Sequence, residues 1–542
     1  MNLGSVLIER TATALAGRSK PFWPAVLAIF GALLFPLDYA RAGLPAPRVI
    51  KLLVVGPKQF EQALKPLLDH KNKTGMPARF LSMEAVRSLN APPGGNDAEK
   101  LKSAIGTHCL NGGQYVMLVG DMSVVPCCRR SVENLPGNPD AKIWHYGYVS
   151  SELFYENLFY SHQLNGDGTV SHLANLSYWD RNGDHLYNEQ HWANDPVAFN
   201  PDDVDGYPDV AVGRVPAQTV QDVERYVQKV IRYETHANGS LNQATFFFGK
   251  SYEDSYSMSK DIIDNSKLKT VMPPDSVFMY GLTNHSGADQ SGEPGGMDTA
   301  DELQFDRALS RSLFLGYLGH GAGTSWDATL AGSDVIAKQL AVNQELIPNA
   351  LHNPNSFPIV MSVGCETGRH SNNIPHDEYQ DEKGVNHWFW WGDKVKNADH
   401  RIVDVDTGQF WDDQVAVPTP SVYDLARYQP RNFAYWWLCK SGEAGAIAFM
   451  GEEVVCQNDL GRDLMTDILS QYKPGVYDAN HTWHAVGAQI VLGDLWLQGQ
   501  RQYWKDWHGF SGDNSVFRNA RIYLGIMNLY GDPSLRLPSL SH

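Results

Sequence analysis

Two segments of the chain place a reactive side chain at the end of an apolar run. "SLFLGYLGHG" ends on His320-Gly321, and "FPIVMSVGC" ends on Gly364-Cys365. A thiol becomes a good nucleophile when an imidazole takes its proton or stabilises the thiolate. Attack on an acyl carbon also requires donors for the developing oxyanion, and the backbone N–H groups of Gly321 and Cys365 are the candidates. Glycine at 321 and 364 lets substrate and backbone approach closely. A lone cysteine is more often a buried structural thiol; the matching histidine is what makes Cys365 a candidate nucleophile.

These residues need elements to position them. His320 and Cys365 stand 45 residues apart, enough for a crossover helix between neighbouring parallel strands, and "DVIAKQLAVNQELIP" is the candidate helix. Adjacent parallel strands end on the same edge of a sheet, so the two side chains are expected side by side in a ligand crevice. Unbroken apolar runs recur along the chain: "RVIKLLVVG", "GGQYVMLVGD", "ATFFFGKSYED", "SVFMYG" and "GAIAFMG". Such runs separated by helices indicate parallel sheets covered on both faces. "QFEQALKPLLDHKN" reads as one helix. A second begins after Thr219, which with Asp222 forms a partial capping box, and Val223, Tyr226, Val227, Val230 and Ile231 share one face of it. "NARIYLGIMNLYGDPSLRL" closes the chain with helix and strand.

The fold class is therefore α/β, with two parallel-sheet subdomains side by side. The expected divisions are 1–42 as a signal peptide, 43–243 as a first α/β subdomain and 244–542 as the catalytic subdomain. Residues 134–207 form a loop-rich excursion, and 371–430, which contains "NHWFWWGDK", form a surface insertion. Arg10, Arg18 and Lys20, then the apolar "FWPAVLAIFGALLF", then Ala40 and Ala42, follow the order of a secretory signal. That run is short for a membrane span, so the mature protein is expected to be exported, soluble and without a span. A net charge of −17 speaks against nucleic-acid binding, and 43% hydrophobic content with 15 tryptophans indicates a packed globular chain.

Export permits disulfides. Of the six cysteines, Cys109 with Cys127 or Cys128, and Cys439 with Cys456, are the candidate pairs. "WDRNGDHLYNE" offers Asp180, Asn182, Asp184 and Glu189 at a spacing like the first half of a calcium loop, though the sixth position is His185 in place of glycine. His352, His370, His376, His481 and His484 lack zinc-site spacing and read as surface or packing residues. Glu253 and Asp254 follow the first strand of the second subdomain and are candidates for orienting His320.

The pattern of apolar strand, His-Gly, spacer, apolar strand, small residue and Cys resembles the caspase, legumain and gingipain group of cysteine peptidases. "LVGDMSVVP", the Gly-Arg-x-Pro turn and helix of "DVAVGRVPAQTVQDVERYVQKVIRYE", "GHGAGTSW", "GAIAFMG" and "YGDPSLRL" resemble the gingipain-like family, from about Val49 to Leu537. The resemblance implies an exported cysteine endopeptidase whose second subdomain is caspase-like. It assigns Cys365 as nucleophile, His320 as general base and acid, and Trp326 as lining for the residue before the scissile bond. It also implies structural calcium, no organic cofactor, and protein or peptide substrates. An acidic residue in the pocket would be Asp254, Asp275 or Asp327. The insertion at 371–430 departs from the family, and no long pro-domain or carboxyl-terminal sorting domain is recognised. A transpeptidase with the same dyad, or a non-catalytic binding protein on the same scaffold, are the alternatives. Oligomeric state is not legible.

Overall fold

A ten-stranded sheet runs through the computed structural model of the chain. Residues 49–538 are described except for 93–94, 123, 134–147, 160–162, 165–169, 172–178, 182–186, 189, 192–201, 203, 236–240, 283–288, 294–299, 323–324, 327–352, 354–355, 371–378, 381–385, 391–393, 397–401, 405–431, 441–443, 455–456, 478–482, 486–488 and 509–514. The candidate crossover helix and most of the 371–430 insertion lie outside the described residues.

In chain order the strands of the large sheet are β1 (Leu52–Gly56), β2 (Ala78–Ser82), β3 (Tyr115–Val119), β4 (Ala211–Val215) and β5 (Gln243–Gly249). They continue as β6 (Val277–Leu282), β7 (Ser312–Leu318), β8 (Ile359–Val363), β9 (Ala448–Glu452) and β10 (Met527–Gly531). Across the sheet the order is β6-β5-β7-β8-β9-β10-β4-β3-β1-β2. All neighbours are parallel except β9 and β10. Two parallel halves thus share one sheet, and the last strand of the chain joins them. The side-by-side subdomains read from the sequence are two halves of a continuous sheet, and Val49–His542 forms one compact unit.

The apolar runs became strands because both faces of the sheet are covered. Leu52 to Val55 of β1 and Ile359 and Val360 of β8 are all 0% exposed, and each such side chain contributes about 1.5–3 kcal/mol on burial. The edge strand β2 escaped notice in the sequence because its pattern is short and only partly buried. Helix α1 (Glu61–Lys73) packs on α2 (Val220–Thr235). The start of α2 is capped reciprocally: Asp222 N donates to Thr219 Oγ1 (3.1 Å), and Thr219 N donates to Asp222 Oδ2 (3.0 Å).

Helix α2 also ties the halves together. Lys229 Nζ donates to the carbonyls of Trp437 (3.3 Å) and Leu438 (2.9 Å). Tyr226 Oη donates to Ile447 O (3.0 Å) and accepts from Asp532 N (2.7 Å). Within the insertion, Tyr379–Gln380, Asn386–Trp390, Lys394–Lys396 and Ile402–Asp404 form an antiparallel meander. Among the described residues no helix is long and apolar enough to cross a membrane.

A buried ion cluster fixes the end of the chain against α1 and α2. Lys71 Nζ lies 2.7 Å from Glu234 Oε1 and 2.8 Å from Asp532 Oδ2, and all three side chains are at most 3% exposed. Breaking such a pair leaves an uncompensated buried charge. Burial raises the Glu234 carboxyl, but Lys71 and His70 outweigh it and hold it at about 2, below the ordinary 4.5. A depressed acid stabilises the fold fully above its unfolded value and loses that contribution as pH falls through its folded value. We expect Lys71→Met to cost about 3–5 kcal/mol in urea unfolding at neutral pH. Between pH 4.5 and about 2, stability should fall less steeply in Glu234→Gln than in the parent; equal slopes would contradict the assignment.

Candidate active site

The site grows from the ends of β7 and β8. Their register pairs Phe314 with Ile359 and runs to Leu318 opposite Val363, so His320 and Cys365 each lie two residues past the last paired position. Gly319 N donates to Val363 O (3.1 Å), which extends the contact between the strands into the turns. A Cβ on Gly319 would meet Gly249 Cα and N at 3.1 Å and the Tyr317 hydroxyl at 2.7 Å. Only glycine lets the ends of β5 and β7 come this close. Tyr317 Oη donates to His320 O (2.5 Å), which fixes the backbone that carries the imidazole.

Gly321 is the direct link between the two strand ends. A Cβ there would lie 2.8 Å from Cys365 O, from Gly364 C and from Thr367 Cγ2. Two backbones are therefore pressed together at the point where the sequence anticipates an oxyanion site. Gly321 then opens a small hairpin, pairing with Trp326. On the other side, Cys365 stands in a turn closed by Thr367, whose N and Oγ1 donate to Gly364 O at 3.2 and 2.7 Å. Glu366 holds φ +63°, in the left-handed region. The turn is strapped to the end of β9: Gly368 N donates to Glu452 O (2.8 Å), and Tyr530 Oη donates to Gly368 O (2.7 Å).

His320 is exposed and Cys365 is half-buried, so the sheet edge presents both to solvent. The His320 ring meets Tyr252 edge to face, with centroids 5.0 Å apart and planes at 79°. Tyr252 lies on the loop after β5, beside Glu253 and Asp254. Both acids are exposed, and Asp254 adopts φ +56° just ahead of the helix Ser255–Asn265. The neighbour of the imidazole from this loop is thus an aromatic ring, which a search for carboxylates overlooks.

Several expectations are revised. Trp326 is 1% exposed. Its ring stacks on Tyr317 (4.6 Å, 11°) and packs near Phe433 and Trp437, and its indole N–H donates to Ser362 Oγ (2.9 Å). In this conformation it is a core residue beneath the hairpin and no open pocket wall. Asp275 lies two residues before β6, at the opposite edge of the parallel half from His320, so it is too far to line a pocket there. Asp327 lies outside the described residues. Of the calcium set, Asp180 is half-buried next to the turn in which Asn188 N donates to Trp179 O (2.6 Å); Asn182, Asp184 and Glu189 lie outside the described residues.

The cysteine pairs are also corrected. Cys109, Cys127 and Cys439 are free thiols, and Cys456 lies outside the described residues. Cys127 instead faces His370, with Sγ 3.6 Å from Nε2. His370 is 2% exposed, the packing alternative of the two read from the sequence, and sits between Glu152 Oε1 (2.9 Å) and Glu453 Oε2 (2.6 Å). Burial raises the Glu152 carboxyl, but Arg214 and His370 outweigh it and hold it at about 2. Nothing in the local sequence pairs 127 with 370.

The sequence profile of peptidase family C25 matches residues 46–392. No curated protein matches the chain. Among solved structures, a complex of the pro- and mature domains of RgpB from Porphyromonas gingivalis is 14% identical with a TM-score of 0.48, covering 90% of this chain and 80% of that one. The Arg-specific cysteine proteinase gingipain R is 15% identical with a TM-score of 0.49, covering 92% and 80%. A structure described as a protease is 13% identical with a TM-score of 0.49, covering 91% and 79%. The profile spans more than half of the sequence and includes both strand ends that carry His320 and Cys365, so this chain belongs to peptidase family C25, a family of cysteine peptidases.

Proposed function

We propose that the protein is an exported cysteine endopeptidase that uses Cys365 and His320 as its dyad. The observation that carries this reading is the close approach of Gly321 to the Cys365 backbone, which brings the two strand ends together on one edge of the sheet. Export is supported by the basic, apolar and small-residue order of the first 42 residues.

In this mechanism His320 accepts the Cys365 thiol proton, and Sγ attacks the peptide carbonyl carbon. The oxyanion accepts hydrogen bonds from the N–H groups of Gly321 and Cys365. Collapse of the tetrahedral adduct breaks the C–N bond, and His320 protonates the departing amine. Water, deprotonated by His320, then hydrolyses the thioester and restores the thiol. Glu253 or Asp254 orients the imidazole in this scheme, and Tyr252 supports its ring by edge-to-face contact. Calcium held by Asp180, Asn182, Asp184 and Glu189 is structural in this reading and takes no part in the chemistry.

Digestion of a diverse peptide mixture, read by mass spectrometry with calcium and a mild reductant present, tests the assignment. The parent should cut at internal bonds and Cys365→Ala should not. His320→Ala should reduce kcat/KM by about 10²–10⁴-fold. Equal product patterns from the parent and Cys365→Ala would overturn the reading.

Gly321→Ala tests the oxyanion geometry. Its Cβ must displace the Cys365 backbone, so kcat should fall by about 10²–10³-fold with little change in KM. Unchanged kcat would remove Gly321 from the mechanism.

A further inference from the structure

Away from the Cys365 edge, three side chains with metal-binding donors converge in the interior. Cys127 precedes the strand Cys128–Glu133, Glu152 precedes the short helix Leu153–Glu156, and His370 lies five residues beyond Cys365. One donor atom from each lies within 4.8 Å of the other two. Cys127 Sγ is 3.6 Å from His370 Nε2, which is 2.9 Å from Glu152 Oε1. Glu152 and His370 are each 2% exposed.

The surroundings are those of a prepared site. His370 Nδ1 faces Glu453 Oε2 at 2.6 Å, an arrangement that aims Nε2 at Cys127 and Glu152. A carboxylate behind a metal-binding imidazole is the usual outer support of such a ligand. Arg214 Nε donates to Glu152 Oε1, and its Nη1 is used by the carbonyls of Gly120 (2.9 Å) and Val125 (2.8 Å). Glu152 Oε2 is buried and has no hydrogen-bond partner among the described residues. A buried carboxylate oxygen without a partner is costly, and a cation held by both oxygens of Glu152 would satisfy it.

We propose that Cys127, Glu152 and His370 bind one divalent transition-metal cation, zinc by the chemistry of the donors. Sulfur, imidazole and carboxylate together suit zinc and exclude calcium or magnesium, which take oxygen ligands. Around a tetrahedral zinc, sulfur and imidazole nitrogen lie about 3.6 Å apart, and nitrogen and carboxylate oxygen about 3.3 Å. The first spacing is present, and the second needs only a small opening. The thiolate and Glu152 carry two negative charges while Glu453 and Arg214 cancel, so a dication neutralises the cluster. Three protein donors leave a fourth position for water. Bound there, the ion would join Cys127 and Glu152 of the first half to the turn that carries the nucleophile.

The test uses the full chain with Cys365→Ala, which removes the competing thiol, after stripping with a chelator. Dialysis against zinc should leave about one zinc per chain by mass spectrometry of the metal. Cobalt should give a thiolate-to-cobalt charge-transfer band that disappears when Cys127→Ser is added. Glu453→Gln should weaken binding by about 10–100-fold. A measurement without any change in the cluster covers variants that fail to fold: zinc should slow alkylation of Cys127 at least tenfold and leave Cys109 unaffected. No stoichiometric zinc, a cobalt band that survives Cys127→Ser, or Cys127 alkylation indifferent to zinc would each overturn the proposal. A cluster that is only a set of paired buried charges gives the first and third of these results.

Discussion

The seam between β9 and β10 is the constraint on which the rest of this structure depends. The two parallel halves run in opposite directions, and the reversal falls at this one pairing. β10, made by the final strand of the chain, takes that position, antiparallel to β9 and parallel to β4. Its Tyr530 reaches back to Gly368, and the adjacent Asp532 engages Tyr226 and Lys71. The carboxyl-terminal segment therefore stabilises the Cys365 turn and the first half at once.

On this frame the candidate active site requires little machinery of its own. β7 and β8 are buried on both faces, and their register is closed at its end by the hydrogen bond from Gly319 N to Val363 O. Their ends then deliver His320 and Cys365 to one edge at one level. The turns are held by backbone contacts at glycines 319, 321 and 368, so His320 and Cys365 ride on rigid strand ends even though they are presented to solvent. Tyr317 serves twice, bonding to the His320 carbonyl and stacking on Trp326. The aromatic cluster beneath the hairpin thereby supports the loop it was expected to line as a pocket.

The interior cluster around His370 shows how a polar group can cross the seam. Cys127, Glu152 and Arg214 come from the first half, and His370 and Glu453 from the second. Ordered charges in a low-dielectric interior interact strongly and tolerate few arrangements. The Cys365 turn is thus bounded by β9 on one side and by this network at its far end.

The primary structure by itself determined most strands of the α/β sheet, because residues buried on both faces must be apolar without interruption. It also determined the capping of α2 and the candidate pair His320 and Cys365, since strand ends followed by glycine are local signals. Short or half-buried elements such as β2 were not legible, because their patterns compete with those of loops. Tertiary structure alone decided the union of two halves in one sheet, the burial of Trp326, the contact of Tyr252 with His320, and the meeting of Cys127 with His370. These depend on contacts between residues tens to hundreds of positions apart, and no local periodicity or spacing encodes which distant side chains a fold will bring together.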